Sequence, residues 1–136
     1  MSKRRSSDEL LERFSSRYAE GGTAAGRLVE RRVIGANVGA NGYTTVAQAD
    51  RLVEALRLSP ESRLLDLGSG RGWPALHVAA RTGCHAVLTD VPEPAVLSAR
   101  KRSTDASDRV SVVRASATQL PFAAASFDAI CHADTL

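Results

Sequence analysis

The sequence has little of what a disulfide-stapled, metal-binding or membrane protein needs. Its 136 residues include only two cysteines, Cys84 and Cys131, which form no C-x-x-C pair and are expected to be buried thiols. Each is followed by a histidine, but neighbouring side chains on a strand point to opposite faces, so we expect no shared zinc ion and no other metal. No apolar run approaches the ~20 residues that span a bilayer, and no signal-peptide core follows the basic N-terminus. These absences predict a cytoplasmic protein without membrane contact.

Charge of one sign is not concentrated anywhere along the chain. Lysine and arginine number 18 against 15 acidic residues, which gives a net charge of +3 and a pI of about 9.3. The basic residues are scattered, as at Arg31 and Arg32 beside Glu30, and aromatic residues make up only 4% of the chain. A nucleic-acid surface needs clustered cations with aromatic residues among them. We therefore expect no nucleic-acid partner.

Capping residues and the helical spacing of apolar residues predict three helices in the first part of the chain. One capping box begins at Ser6, and a second begins at Thr45 and precedes a clean apolar stripe. The glycine-rich stretch GANVGANGYTT lies before the third helix and is expected to be a loop. We expect residues 1–58 to form a helical lid or cap segment. The helices are expected over residues 6–18, 26–34 and 46–58, the second with Leu28, Val29 and Val33 on one side.

From residue 59 onward, short apolar runs alternate with helical patterns. Nearly continuous apolar runs of this length are typical of buried parallel strands. Strands joined by helices predict an α/β domain with a Rossmann-like, doubly wound parallel sheet over residues 59–136. The strands are expected at residues 63–67, 85–89, 109–114 and 127–132, and the helices at residues 74–81 and 94–104.

A glycine-rich turn, Gly68-Ser69-Gly70-Arg71-Gly72, follows the first strand and is typical of nucleotide binding. The spacing Gly70-x-Gly72-x-x-Ala75, with Asp90 downstream, also satisfies the dinucleotide fingerprint. Trp73-Pro74 argues against a pyrophosphate, because proline has no N–H to donate and tryptophan crowds the helix start. The turn therefore favours a ligand without phosphates. A nicotinamide-dependent oxidoreductase half-domain, which would bind a dinucleotide, stays open as the alternative.

Three motifs in order resemble the class I S-adenosylmethionine-dependent methyltransferases. LLDLGSGRGWP is similar to motif I of that family, VLTDV to its ribose-binding strand end, and ASATQLPFAAASFDAI to its adenine loop and fourth strand. Together the motifs cover residues 63–136. The resemblance implies that S-adenosyl-L-methionine is the cofactor and that the reaction is methyl transfer.

The resemblance also implies a role for each matching residue. Asp66 would orient the glycine loop and the methionine amino group, Asp90 would accept from both ribose hydroxyls, and Val91 would lie beside adenine. Ser116 stands where the family commonly has aspartate, so it would accept more weakly from the adenine amino group, or it is an ordinary loop hydroxyl. The implied cofactor contacts are Tyr43, Asp66, Gly68, Ser69, Gly70, Gly72, Asp90, Val91, Ser116 and Ala117.

Tyr43, His132 and Asp134 each have two alternative interpretations. Tyr43 would donate to the methionine carboxylate, or it packs under its loop while Thr45 only caps a helix. His132 and Asp134 are the candidates for a base or a substrate contact. In the alternative interpretation, His132 packs at the strand end and Asp134 caps a helix. The end of the fourth strand lacks the N-P-P-Y type signature of DNA and protein amino-group methylases, which favours an unidentified small molecule as methyl acceptor.

The sequence ends where the fourth strand ends, whereas the sheet of the family has seven strands. The resemblance therefore implies a truncated cofactor-binding half, with its fourth strand as an unpaired edge. Bare strand edges pair with other chains, so we expect self-association and weak catalysis. A non-catalytic cofactor-binding module is the remaining alternative.

Overall fold

The computed structural model describes residues 6–19, 22–40 and 42–133, and in them helices and strands follow the predicted order. Three helices come first, α1 Ser7–Ala19, α2 Ala24–Ile34 and α3 Val46–Leu56. The α/β part follows as β1 Arg63–Leu67, α4 Ala75–Thr82, β2 His85–Asp90, α5 Glu93–Arg102, β3 Val110–Arg114 and β4 Ala129–His132, with a short 3₁₀ turn at Thr104–Ala106.

Four predicted helix or strand ends differ from the structure by two residues. α2 begins at Ala24 rather than at residue 26 and α3 ends at Leu56 rather than at residue 58, and the two other shifts are at the end of α5 and the start of β4. The fifth helix ends at Arg102 because Ser103 closes it and the chain continues as a 3₁₀ turn. The fourth strand begins at Ala129, and the exposed Asp128 before it accepts the Arg63 N–H through its side chain at 2.7 Å. Neither shift moves a residue of the predicted site.

All four strands are parallel, in the order β3-β2-β1-β4, which confirms the Rossmann-like sheet. Leu65 of β1 lies opposite Val87 of β2 on one side and Ile130 of β4 on the other. The chain leaves β3 at one edge and returns to pair with the far side of β1, so the order reverses between β1 and β4. In open parallel sheets, ligands bind outside the carboxyl ends of the strands at such a reversal.

The core lies between the sheet and the helices that cross it. Leu64, Leu65 and Leu88 of the strands are fully buried, and Val78 of α4 belongs to the same core cluster as Leu64 and Leu88. Cys84 is buried in the same core, as predicted, whereas Cys131 is only half-buried; both are free thiols. Apolar burial on both faces of β1 is what a central parallel strand requires.

Local capping sets the starts of α1 and α3, as predicted. Glu9 N–H donates to Ser6 Oγ at 3.2 Å while Ser6 N–H donates to Glu9 Oε2 at 3.1 Å. Thr45 and Gln48 make the same reciprocal pair at 3.2 and 2.8 Å. Such boxes satisfy N–H groups that the first helical turn leaves without partners.

The apolar sides of α1 and α2 do not enter the core. α1 has no buried residue, and more than half of each apolar side chain on the predicted side of α2 is exposed. No helix in the described ranges is both long and apolar enough to cross a bilayer.

β4 lies at an edge of the sheet in the described part of the chain. It pairs with β1 alone, and Ile130 on it is 59% exposed. This confirms the predicted edge position of the fourth strand. Self-association through that edge stays a prediction.

Gly72 brings α4 close to β2. Its φ of +104° is a backbone conformation that glycine adopts readily, and a Cβ at this position would lie 2.6 Å from Leu76 Cδ1 and 3.2 Å from Leu88 Cδ2. The residue therefore has both a conformational and a packing reason to be glycine.

We expect Gly72→Ala to lower the free energy of unfolding by about 3 kcal/mol, because it combines a left-handed backbone with overpacking. Urea denaturation monitored by circular dichroism measures the change. Gly22→Ala is the matched control, since its Cβ would meet only Arg27 Cγ at 4.0 Å. Equal stabilities of the two variants would show that Gly72 does not limit helix packing.

Candidate functional site

A cavity of about 770 Å³ opens at the carboxyl edge of the sheet. Its wall is built by α1, by residues 42–43, and by the segments that follow β1, β2, β3 and β4. The predicted residues on this wall are Tyr43, Gly68, Ser69, Gly70, Asp90, Val91, Ser116 and Ala117, with His132 at its β4 side. Asp66 and Gly72 lie behind the wall and do not line the cavity.

The glycine turn is held against the end of β2. Gly68 and Gly70 have φ of +65° and +55°, which lets the backbone turn sharply over the strand ends. Ser69 N–H donates to the Thr89 carbonyl at 2.9 Å, and Gly70 N–H donates to Asp90 Oδ2 at 2.7 Å. The turn therefore presents its backbone to the cavity in a fixed position.

Asp90 is the acidic residue of the cavity wall at the end of β2. Besides the Gly70 N–H, it accepts the Val91 N–H through Oδ1 at 2.8 Å. Burial raises the pKa of the Asp90 carboxyl, and the two N–H donors act in the opposite direction. Since each carboxylate oxygen accepts more than one hydrogen bond, both oxygens can still accept from a pair of neighbouring hydroxyls.

Asp66 is buried behind the glycine turn, 1% exposed. The Cys131 thiol donates to its Oδ1 at 3.5 Å, and its Oδ2 has no hydrogen-bond partner among the described residues. Burial, and to a lesser degree the nearby Asp90 charge, raise the pKa of Asp66 to about 7, and the Cys131 hydrogen bond offsets part of this. The same burial raises the pKa of Cys131, which keeps that thiol protonated as a donor.

Residues of α1 line the cavity. The sequence predicts a lid or cap over residues 1–58 but indicates no residue of α1 as part of the site. Leu11, Phe14 and Tyr18 line the cavity at helical spacing, and a Cβ on Gly70 would lie 2.8 Å from Tyr18 Oη. Arg71 Nη2 donates to the Tyr18 carbonyl at 3.2 Å, and its guanidinium lies 5.8 Å from the Tyr18 ring centroid. The apolar spacing in α1 was the available signal, but it does not reveal which element that face meets.

The segment Gly42 to Thr45, called here the cover segment, contributes Gly42 and Tyr43 to the cavity wall. Tyr43 is 80% exposed and lines the cavity, so it does not pack under its loop. Thr45 caps α3, as the simpler interpretation held. The Trp73 indole N–H donates to the Thr44 carbonyl at 2.8 Å. Tryptophan here is therefore a hydrogen-bond donor to the cover segment as well as a bulky group at the helix start.

Ser116 lines the cavity and is also engaged in its own turn. Its hydroxyl lies 2.8 Å from Thr118 Oγ1 and accepts the Thr118 N–H at 3.3 Å. Both interpretations of Ser116 thus describe part of its surroundings. A hydroxyl shared with a local turn is a weaker acceptor for a ligand than a free carboxylate.

His132 lies where two cavities meet. It lines the larger cavity and also a smaller one of about 340 Å³, together with Tyr43, Gln48 and Leu52. The other candidate base, Asp134, lies outside the described residues. Within the described ranges, no group of three or more histidine, cysteine, aspartate or glutamate side chains is placed to bind a metal.

Comparison with known proteins identifies the family. A profile described as a methyltransferase domain matches residues 64–136. The chain is 35% identical to the 27-O-demethylrifamycin SV methyltransferase of Amycolatopsis mediterranei over 94 residues, which cover 68% of this chain and 35% of that enzyme. It is 43% identical to the demethylmenaquinone methyltransferase of Clavibacter sepedonicus over 68 residues, which cover 50% and 27%.

A solved structure shows the same fold. The RNA methyltransferase of Salinibacter ruber in complex with S-adenosyl-L-homocysteine superposes with a TM-score of 0.53 at 26% identity, over 57% of this chain and 52% of that one. The chain spans about a third of the length of the curated relatives that it matches. These matches favour a methyltransferase over a nicotinamide-dependent oxidoreductase.

Replacing Asp66 by asparagine tests the protonation of this buried carboxyl. Its pKa in the folded protein, about 7, exceeds its ordinary value of 3.8, so the folded state binds a proton that the unfolded state lacks between these pH values. The stability contribution of wild-type Asp66 therefore falls as pH rises through this window, by at most about 1.4 kcal/mol per pH unit.

Asp66→Asn removes this titration while keeping an oxygen that can accept from Cys131. We expect the unfolding free energy of wild type minus that of the variant to decrease from pH 4 to pH 7 and then to level off. Urea unfolding at intervals of one pH unit measures this difference. A difference that is constant from pH 4 to pH 8 would contradict the raised pKa.

Proposed function

The chain belongs to the class I S-adenosylmethionine-dependent methyltransferase family, and from this premise we propose that its cavity binds S-adenosyl-L-methionine for methyl transfer to a small molecule. The observation that carries the proposal is Asp90, whose carboxylate is held by two backbone N–H groups at the cavity wall. The two neighbouring hydroxyls of a ribose need two acceptors side by side, and the two oxygens of one carboxylate provide them.

The residues present fit the other parts of the cofactor. Adenine would lie against Val91 and the Ser116–Ala117 turn, and the methionine end would lie between the glycine turn and Tyr43. Ser69 Oγ, on the wall, and Asp66 Oδ2, behind it, are buried and have no hydrogen-bond partners among the described residues. A polar ligand end, directly or through water, would supply the partners that such buried atoms require.

The protein's part in the reaction is to bind, orient and exclude water. When bound, the cofactor supplies a methyl group on a positively charged sulfur. Leu11 and Phe14 of α1 cover the cavity with apolar surface, which keeps bulk water away from such a centre. Holding two reactants in line contributes up to about 7 to 11 kcal/mol, so positioning is the main catalytic device available here.

The acceptor is proposed to enter the smaller cavity, which meets the larger one at Tyr43 and His132. Gln48 and Leu52 give this second cavity a polar and an apolar wall, which suits a small organic molecule. His132 is then the group placed to contact the acceptor or to take its proton. The rifamycin and menaquinone methyltransferases among the relatives act, by their names, on small molecules. No nucleic-acid partner is proposed.

Replacing Asp90 by alanine tests the proposed ribose contact. We expect S-adenosyl-L-homocysteine to bind at least tenfold more weakly, because hydrogen bonds to a charged group are worth about 1.5 to 3 kcal/mol each. Isothermal titration calorimetry of the whole chain measures the change.

Asp128→Ala is the matched control for Asp90→Ala. Asp128 also accepts a backbone N–H at 2.7 Å, from Arg63, but at the amino end of β1, away from the cavity. Its loss should leave the ligand affinity unchanged. Equal affinities of wild type and Asp90→Ala would reject the ribose assignment. Quenching of the fluorescence of the single tryptophan by NADH, without heat on titration with S-adenosyl-L-homocysteine, would favour the nicotinamide alternative.

The edge position of β4 carries a separate prediction about assembly. An edge strand with an exposed apolar side chain such as Ile130 tends to pair with another chain. We expect sedimentation velocity at tens of micromolar to show a dimer or larger species. A clean monomer over this concentration range would contradict self-association through β4.

A further inference from the structure

We propose that Trp73 is a positioning residue for the cofactor: its indole N–H holds the cover segment, and with it Tyr43, over the methionine end of the cavity. The proposal rests on the proposed function of the cavity. It assigns to Trp73 a role in ligand affinity that is separate from its role in packing.

The contact joins two segments that both line the larger cavity, the glycine turn with Trp73 and the cover segment with Gly42 and Tyr43. Trp73 directly follows Gly72 at the end of the glycine turn, and its Nε1 donates to the Thr44 carbonyl at 2.8 Å. The neighbouring Tyr43 lines the cavity and is 80% exposed. A hydrogen bond to the Thr44 carbonyl restrains the backbone that carries Tyr43.

The carboxyl-terminal residue of the cover segment, Thr45, is fixed by α3. Thr45 caps α3 through its reciprocal pair with Gln48, at 3.2 and 2.8 Å. α3 is in turn joined to α4, because His77 Nε2 lies 2.7 Å from Asp50 Oδ1. With Thr45 held by the cap, the Trp73 hydrogen bond extends the restraint by one residue to Thr44, the neighbour of Tyr43.

The Trp73 indole itself has a defined orientation. Its ring lies 5.4 Å from the His77 ring, at an interplanar angle of 56°, and both rings are half-buried on α4 or just before it. A side chain held in this way loses little conformational freedom when it makes a hydrogen bond. The donor is thus preorganised toward the cover segment before any ligand binds.

Two substitutions separate positioning from stability. Trp73→Phe keeps an aromatic ring and removes the indole donor. Thr82→Val removes another side-chain donor to a backbone carbonyl, at the far end of α4, where Thr82 Oγ1 donates to the Val78 carbonyl at 2.8 Å and accepts the Cys84 N–H at 3.2 Å. Calorimetric titration with S-adenosyl-L-homocysteine gives the affinity of each variant. Thermal unfolding without ligand gives its stability.

We expect Trp73→Phe to weaken S-adenosyl-L-homocysteine binding three- to tenfold, and Thr82→Val to change stability but not affinity. An unchanged affinity in a folded Trp73→Phe variant would overturn the proposal, because a packing role alone alters stability and leaves affinity the same. Absence of binding to the wild-type chain would instead reject the proposed function.

A second test keeps the shape of the side chain in case Trp73→Phe does not fold. Since the sequence has one tryptophan, growth on 3-benzothienylalanine replaces the indole N–H by sulfur at this position alone. The proposal predicts the same three- to tenfold loss of affinity, and 5-fluorotryptophan, which keeps the N–H, should bind as wild type does. Equal affinities of the two labelled proteins would contradict it.

Discussion

The hydrogen bond from the Gly70 N–H to the Asp90 carboxylate, 2.7 Å long, is the contact on which the site depends. It joins residues twenty positions apart in the sequence. The parallel pairing of Leu67 with Thr89 brings the end of β2 beside the turn that follows β1. Register therefore sets the position of Asp90, and Asp90 sets the shape of the glycine turn. A shift by one residue would point this carboxylate to the other face of the sheet and disconnect both.

Two carboxyl groups with raised pKa values, Asp66 and Asp90, lie beside the glycine turn. Asp90 is on the wall and anchored by backbone donors, whereas Asp66 is buried behind it and accepts, among the described residues, from the weak Cys131 donor. Burial of acidic groups disfavours their charged forms unless donors or cations are near. A cationic ligand end at the glycine turn would relieve that cost, which is consistent with the ammonium and sulfonium groups of the family's cofactor.

Local patterns made α3 and most of the α/β part predictable. The β1 run, the glycine turn and the capping box at Thr45 all depend on neighbours in sequence, and the structure has each where it was expected. The contact of Tyr18 with Gly70 was not predictable, because fifty-two positions separate them and no pattern in α1 specifies its partner. Trp73 was interpreted from its bulk alone, since its donor role depends on where the cover segment lies. Asp66 was matched by motif, but its burial behind the wall follows from the pairing of β1 with β4.

The central claim is that the cofactor lies along the carboxyl edge of the sheet between the glycine turn and Asp90. The most direct test is a titration of the ¹⁵N-labelled chain with S-adenosyl-L-homocysteine, followed by amide correlation spectra. We expect the largest chemical-shift changes at the amides of Gly68, Gly70, Val91 and Ala117. The amides of Arg63 and His85, at the amino ends of β1 and β2, should not shift. Shift changes centred elsewhere in the chain, or none at millimolar ligand, would contradict the central claim.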